Sequence, residues 1–423
     1  MMASDSIAPG MVLALSNGVT QFTLSAVPPQ MLDGAEERIR AVMADTGAVM
    51  VYADGVDADG TPLPLIDCTP GGGLRDDFDF GPAVWFPSRL LDKHPLPRTK
   101  TDFYRLRLAL SLEGPVVHIA EPLYIAPATS AVSAFAYVDP ANRAYQSELE
   151  LIATNHLKAA GAWIDGSKAR EADLEAGDFP VEASVIIPVR NRERTIADAI
   201  ASALEQCAPF DFNVIVVDNH SSDGTSAIVA GYAERDPRVV HLMPPTTGYG
   251  IGGCWNIALH SPRCGRFAVQ LDSDDLYSAP DTLARIVAKF RAERCAMVVG
   301  SYTLVDFNRR ILPPGLIDHR EWTAENGPNN LLRVNGMGAP RAFVTAIARQ
   351  LPFPNVSYGE DYAMALRISR TWRIGRIFDS LYLCRRWEGN SDARPSREQL
   401  ARFNSYKDRL RTLELEARIR LNR

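Results

Sequence analysis

The chain has 423 residues, of which 46% are hydrophobic and 23% charged, and a formal net charge of -6. That length exceeds one ordinary domain, so two or three are expected. The composition is that of a globular protein, and the acidic balance excludes the basic footprint of a nucleic-acid binder. Six scattered cysteines without a CxxC pair exclude a disulfide framework or zinc knuckle and point to a reducing compartment.

The first stretch, MMASDSIAPGMVLALSNG, lacks a basic n-region and a long apolar run, so a signal peptide is not expected. No uncharged apolar run approaches 18 residues, so no integral membrane segment is expected; peripheral membrane association stays open, and the cytoplasm is the expected location. Residues 1–128 read as an N-terminal α/β domain. Residues 129–180 read as a helical linker containing YQSELELIATNHLKAAGAW and the charged KAREADLEAGDFP.

From 184 to 300, strand and helix signals alternate. SVIIPV (184–189) is a β-branched apolar run, read as a buried strand. TIADAIASALEQC follows with Ile196, Ile200 and Leu204 on one helical face. NVIVVD (213–218) is the next strand, closed by the turn-rich NHSSDGT. SAIVAGYAER reads as a helix, VVHLM (239–243) as a strand, GCWNIALHS as a helix and FAVQLD (267–272) as a strand. DTLARIVAKFRAE is an amphipathic helix, and CAMVVGSY (295–302) a further strand. Such alternation implies right-handed crossovers and a parallel sheet covered by helices, with the ligand beyond the carboxyl ends of the strands. Residues 393–423 read as a charged helical tail in which Leu400, Phe403, Leu410 and Leu413 make a narrow apolar stripe.

The chemical residues fall on one rim of that sheet. Pro188 to Glu193 follow the first strand, Asp218 ends the second, and Asp272 ends the fourth. Asp272, Asp274 and Asp275 crowd into AVQLDSDDLYSAPD, where repulsion and desolvation both oppose like charge. A divalent cation would neutralise the cluster; an acidic helix start before SAPDTLARI accounts for one of the three. TTGYGIGGCWN (246–256) is a glycine-rich loop opening a helix, which lets backbone approach a phosphate or sugar, or is a plain loop. The second carboxylate pair is Glu360-Asp361, for which the competing reading is helix N-terminal charge. For Asp218 the competing reading is an Asx-turn into SSDGT.

An internal echo links the two ends of the chain. KTDFYRLRLALSLEGPVVHIAEPLYIAP (100–127) follows the order of GEDYAMALRISRTWRIGRIFDSLYLCRR (359–386), aligning Asp102 with Asp361. GAVMVYADGVDADGTPLP (47–64) parallels CAMVVGSYTLVDFNRRILP (295–313). This suggests duplication of the later half of the 184–390 module. SVIIPV, VVDNHSSDGT and LDSDD have no upstream counterpart, so Asp102 has no nucleotide half beside it, and the N-terminal region is expected to be structural or to recruit an acceptor.

Taken in order, ASVIIPVRNRERTIADAIASAL, VIVVDNHSSDGT, LDSDDLYSAPDTL and GEDYAMALRI resemble the family-two glycosyltransferases of GT-A fold, over roughly residues 183–392. The resemblance implies an α/β GT-A domain at 181–392, with a Rossmann-like nucleotide-binding half and an acceptor half, behind a further α/β domain that echoes the acceptor half. It implies a metal-dependent, inverting, hexosyltransferase-type enzyme using a nucleoside-diphosphate sugar, a UDP-sugar first, and an unidentified hydroxyl acceptor. Asp272-Ser-Asp274 is similar to the family's DxD motif. By resemblance Asp274 binds Mn2+ or Mg2+, Asp272 contacts the ribose or the metal shell, and Asp275 is the alternative ligand. Hard cations of this kind take oxygen ligands and aid departure of a diphosphate.

By the same resemblance Asp218 accepts a hydrogen bond from the base, Asn219 standing where a second aspartate is commoner. Pro188, Val189, Asn191 and Glu193 line the base and ribose loop, with Arg190 in place of the usual aromatic. Asn256 lies beside the donor sugar. Asp361 is the base that takes the acceptor's proton, and Glu360 contacts the acceptor. In LYLCRRWEGNSD (381–392), Trp387 stands where a metal-ligating histidine is usual; indole is no ligand, so coordination falls to Asp274, diphosphate and water. Arg386 or Arg385 supplies charge to the leaving phosphate. Two rival readings remain. One is a weak or inactive glycosyltransferase-like binding protein, favoured by Trp387 and Arg190. The other is a sugar nucleotidyltransferase, disfavoured because the loop after the first strand is RNRER, without glycine.

Overall fold

The structure is a computed structural model that describes residues 13–15, 18–127, 142–390 and 396–423. The expectation about the extreme N-terminus therefore lies outside the described residues, as do Ser391 and Asp392 of the closing segment. The chain divides into two compact units. Unit 1 comprises Met1–Trp163, Leu332–Asn335 and Arg397–Arg423; unit 2 comprises Ile164–Leu331 and Gly336–Ser396. The stretch expected to be one linker is thus divided, and the described part of the expected tail is counted with unit 1.

Unit 1 contains β1 (Leu13–Leu15), β2 (Val19–Thr23), β3 (Gln30–Met31), α1 (Ala35–Thr46), β4 (Met50–Val56), β5 (Pro62–Leu63), α2 (Pro70–Leu74), β6 (Ala83–Pro87), α3 (Lys100–Leu110), β7 (Val116–Ile125) and α4 (Arg143–Ala159). Unit 2 contains β8 (Ala183–Val189), α5 (Ile196–Leu204), β9 (Phe212–Asp218), α6 (Thr225–Arg235), β10 (Val239–Leu242), α7 (Ile251–His260), β11 (Phe267–Gln270), β12 (Leu276–Tyr277), α8 (Thr282–Glu293), β13 (Met297–Asp306), β14 (Ile311–Ile317), α9 (Gly327–Asn330), β15 (Arg341–Val344), α10 (Thr345–Gln350), α11 (Glu360–Ser369) and β16 (Ile374–Arg386). The last helix, α12 (Arg397–Leu421), belongs to unit 1.

In unit 2 the predicted strands form where β-branched runs can be buried on both faces. β9, for instance, is buried at every residue. α8 buries Leu283, Ile286, Val287 and Phe290, the spacing that puts one face of a helix on a sheet. β10, β9, β8 and β11 run parallel, as expected. The sheet then changes character. β15 lies antiparallel between β11 and β13, and β16 returns parallel to β13. The sheet is therefore mixed rather than wholly parallel: the CAMVVGSY strand is separated from FAVQLD by β15, which arrives from far along the chain.

The echo has a topology. Unit 1 orders its strands β2-β6-β4-β7-β3, and unit 2 orders the corresponding ones β11-β15-β13-β16-β12. Every pairing sense matches: β2–β6 and β6–β4 antiparallel, β4–β7 parallel, β4–β5 and β7–β3 antiparallel. Their partners are β11–β15, β15–β13, β13–β16, β13–β14 and β16–β12, with the same senses. The helices follow suit, α1 standing between β3 and β4 as α8 stands between β12 and β13, and α3 preceding β7 as α11 precedes β16. The sheets part beyond β2 and β11: β1 meets β2 antiparallel, where β8 meets β11 parallel and leads on to β9 and β10.

Unit 1 buries two apolar layers, one including Phe22, Tyr52, Phe86 and Phe103, the other Ile39, Val51, Trp85 and Tyr124. The apolar stripe expected on the C-terminal helix is not its buried face. Leu400 is 46% and Leu413 62% exposed, while Asp408, Arg411, Glu414 and Arg418 are buried. Asp408 explains the inversion. It receives Arg75 Nε at 3.1 Å and Arg411 Nη1 at 2.8 Å, and Arg411 also donates to the Leu332 and Val334 carbonyls. Charge enters this core because it is paired throughout. Gly71 permits the approach: a Cβ there would sit 2.3 Å from the Thr412 backbone nitrogen.

Candidate active site

The loops after β8 and β9 are stitched together by the residues that sequence reading had assigned to the nucleotide. Asn191, at φ 53° in the left-handed region that asparagine tolerates, accepts the Ser222 amide through Oδ1 at 2.8 Å. Its own amide donates to the Ser221 hydroxyl at 2.9 Å. Glu193 Oε2 accepts the Gly224 amide at 2.8 Å. Pro188 is partly exposed and Val189 buried. Asp218 is fully buried, its Oδ1 accepting the Ser221 amide at 3.0 Å and its Oδ2 the Ser226 hydroxyl. Burial pushes that carboxyl up, but the Ser226 and Ser221 hydrogen bonds outweigh it and hold it below the usual carboxylate range. Both oxygens are therefore engaged in the turn, the reading set beside base contact in the sequence.

The three aspartates after β11 go different ways. Asp272 lies next to Gln270, whose Nε2 donates to both carboxylate oxygens at 2.9 and 3.0 Å. Burial pushes Asp272 up and the Asp274 charge adds to it, while Arg341 and Gln270 oppose. Asp274 keeps one oxygen, Oδ2, within 3.2 Å of the Trp387 indole N–H and 3.1 Å of the Asn390 amide; the Arg192 Nε is 3.8 Å away. Asp275 is turned inward. It is 5% exposed and its Oδ1 accepts the Arg385 amide at 2.7 Å. Burial, then the Asp274 and Asp272 charges, raise it well above the usual range. A buried carboxylate anchoring strand β16 is poorly disposed to ligate an ion, so the alternative-ligand reading of Asp275 gives way to a structural one.

Glu360 and Asp361 open α11 behind Gly359, which takes the left-handed conformation and offers no side-chain cap. Asp361 Oδ2 pairs with Arg341 Nη1 at 2.8 Å. Arg341 stands at the start of β15, and Asp361, Asp272, Glu360 and Tyr382 all act on its guanidinium electrostatically. Glu360 is 9% exposed, and its buried Oε2 has no hydrogen-bond partner. Burial, reinforced by Asp361, pushes it up to about 8, so at neutral pH it carries a proton and can donate.

Two expectations change. Asn256 does not present its amide to a sugar; Nδ2 donates to the Phe353 carbonyl at 2.9 Å and Oδ1 accepts the Phe353 amide at 3.0 Å. Two glycines of 246–256, Gly250 and Gly252, admit close protein backbone. A Cβ on Gly252 would sit 2.0 Å from the Pro354 carbonyl oxygen, and one on Gly250 2.5 Å from the Val356 carbonyl carbon. Downstream, Arg385 is buried; its Nε donates to the Asp274 carbonyl and its Nη1 pairs with Asp198 at 2.7 Å. That makes it a brace for the acidic loop. Arg386, next along β16, is half-buried.

The donor set suits a hard cation held only in part by protein. Among the described residues no three His, Cys, Asp or Glu side chains are grouped to hold a metal. Asp274 and Asp272 supply carboxylates, and Mg2+ or Mn2+ is commonly bound by one or two carboxylates with substrate phosphates completing the shell. Sequence reading missed Gln270, Arg341 and Asn390. None belongs to a short motif, and their roles come from strand pairing and a distant loop.

Residues 184–341 match the family model described as Glycosyl transferase family 2. The curated relatives include a UDP-Glc:alpha-D-GlcNAc-diphosphoundecaprenol beta-1,3-glucosyltransferase, WfgD, of Escherichia coli, 27% identical over 46% of this chain and 72% of that protein. The succinoglycan biosynthesis protein ExoO of Rhizobium meliloti is 35% identical over 31% of this chain and 36% of its own length. Among solved structures, S. aureus TarS 1-349 in complex with UDP-GlcNAc aligns with 51% of this chain and 61% of its own at 25% identity and a TM-score of 0.42. The chain thus spans about a third of ExoO and less than two thirds of that TarS chain.

Proposed function

From the match of residues 184–341 to the glycosyl transferase family 2 model, we propose that this enzyme moves a sugar, with inversion, from a nucleoside-diphosphate sugar to a hydroxyl acceptor. A UDP-sugar is the first candidate donor. One observation carries the reading: the Arg341 guanidinium pairs with Asp361 at 2.8 Å, and the Arg341 amide donates to Gln270, whose side chain donates to Asp272. A cation-binding edge and a proton-accepting edge therefore border one site.

In this reading Asp274 and Asp272 hold Mn2+ or Mg2+, which supplies positive charge where a diphosphate departs. Asp361, ionised against Arg341, accepts the proton of the attacking acceptor hydroxyl. Glu360, neutral at pH 7, donates a hydrogen bond to the acceptor. Arg386 lies one residue beyond Arg385, which braces the acidic loop, and is assigned to the leaving phosphate. Asn191, Glu193 and Asp218 build the nucleotide loops, through their own hydrogen bonds as much as through contact with a base. Unit 1 is assigned no chemistry and is read as structural or acceptor-recruiting. No helix among the described residues is long and apolar enough to cross a membrane. All six cysteines are unpaired, in keeping with the cytoplasm as the proposed location.

The test is thermal-shift screening of UDP-glucose, UDP-N-acetylglucosamine and GDP-mannose with and without MnCl2. Because a ligand that binds only the native state stabilises it, the cognate donor should raise Tm only with Mn2+, and Asp274→Ala should abolish both that shift and slow release of free sugar. Equal shifts without metal, or a full shift in Asp274→Ala, would refute the metal assignment.

A further inference from the structure

We propose that Arg341 is a positioning residue for the reaction: it holds Oδ2 of the Asp361 carboxylate while Oδ1 stays on the Tyr362 amide, and so fixes how that carboxylate faces the site. The inference rests on the reading of Asp361 as the base.

The duplicated topology supplies the comparison. In unit 1, Asp102 occupies the aligned place near the start of α3. There it makes a capping box with Thr99: its Oδ2 accepts the Thr99 and Arg98 amides, each at 3.1 Å. Such reciprocal capping satisfies helix amides that are otherwise orphaned. The other oxygen, Oδ1, pairs with Arg105 of the same helix at 3.3 Å. The strand corresponding to β15 is β6, AVWFP, which has no cation.

Asp361 likewise keeps one oxygen on its own helix, Oδ1 accepting the Tyr362 amide at 2.6 Å, as a helix N-terminus attracts a carboxylate. What differs is the strand beside it. Arg341 Nη1 reaches Asp361 Oδ2 at 2.8 Å and is itself fixed by donating to the Gly338 carbonyl at 3.0 Å. The Arg341 amide donates to Gln270 Oε1 at 3.1 Å, and Gln270 Nε2 grips Asp272. One continuous chain, Asp272–Gln270–Arg341–Asp361, thus ties the donor-side carboxylate to the acceptor-side base. A base held within a fraction of an ångström of its proton is worth far more than one free to turn.

The experiment uses the full chain and the nucleotide sugar with the largest Mn2+-dependent shift in the panel above. Arg341→Gln, Arg341→Lys, Asp361→Asn and the Arg341→Gln/Asp361→Asn double variant are compared. Arg341→Gln should lower kcat about 30-fold or more, within the span of acid–base contributions, while binding of the matching nucleoside diphosphate with Mn2+ changes less than about 3-fold. In the Asp361→Asn background the same substitution should change the residual rate less than about 2-fold, because two groups acting as one unit are not additive. Arg341→Lys keeps the charge and loses the fork. It should fold and lie between the two, with kcat down about 3- to 10-fold at unchanged nucleotide binding.

Losses that multiply in the double variant would overturn the proposal, as would nucleotide affinity that falls in step with the rate. If Arg341→Gln does not fold, a wild-type kcat in Arg341→Lys overturns it. Failure of the base assignment looks different: Asp361→Asn would then turn over normally. Failure of this inference leaves Asp361→Asn inactive and Arg341→Gln active.

Discussion

Strands β2 to β7 of unit 1 and β11 to β16 of unit 2 are the same six-strand arrangement with the same pairing senses, yet only one bears a candidate site. Where unit 2 continues from β11 into LDSDD, unit 1 continues from β2 into LSAVPP. Where unit 2 opens β15 with Arg341, unit 1 has the uncharged β6. Where β8 lies parallel beside β11, β1 lies antiparallel beside β2. Topology is carried by apolar patterning and tolerates such exchanges; a site needs particular charged groups brought together, and fold alone does not supply them.

The sharpest way to break this comparison is to make one change in both copies. Asp361→Asn should retain Mn2+-dependent nucleotide binding and lose transfer by about 10³-fold, in the range for a general base. Asp102→Asn should leave turnover unchanged and cost about 1 kcal/mol of stability through the weakened cap, read as a small fall in Tm. Equal effects on turnover would make the two carboxylates equivalent and dissolve the distinction.

Stability separates the units next. Asp408→Ala strips the shared partner from Arg75 and Arg411, all three being buried. Leaving buried charge unpaired should cost about 3–5 kcal/mol. Denaturant unfolding should show it as a lowered midpoint, with no change in nucleotide affinity at temperatures where the variant is folded.

The third effect depends on pH. Glu360 carries a carboxyl pushed from 4.5 up to about 8. Between those values the folded chain keeps a proton that the unfolded chain has released, so stability falls as pH rises through that window. Glu360→Gln removes the titration. Its Tm relative to wild type should climb from about pH 4.5 to about pH 8 and level off above, by an amount worth on the order of 2–4 kcal/mol. A flat difference across that window would mean that Glu360 is ionised in the folded protein.

Much of unit 2 was legible in advance. The runs SVIIPV, NVIVVD and FAVQL are apolar enough to be strands wherever they pack, and LDSDD and GED announce charge at their ends. The residues assigned to nucleotide and sugar fared less evenly, for a shared reason. Asp218, Asn191 and Glu193 sit at loop ends and Asn256 inside α7, and at each a ligand and a backbone amide compete for the same oxygen, a choice that residue type does not settle. The glycines of 246–256 pose the same ambiguity: a missing Cβ admits any close neighbour, and here it is the 353–356 backbone.

By itself the sequence determined the periodicity of the elements, the rim on which the Pro188–Glu193 loop, Asp218 and Asp272 were expected to fall, and the echo between the chain's two ends, because each is a local pattern. The tertiary structure decided which carboxylates remain available. Asp275 is consumed by the Arg385 amide, Asp102 by its own helix, and Asp361 is shared between the Tyr362 amide and Arg341, a residue twenty positions away in the chain and on the neighbouring strand system. Such choices depend on which partner arrives first within hydrogen-bond reach, and only the packed chain fixes that.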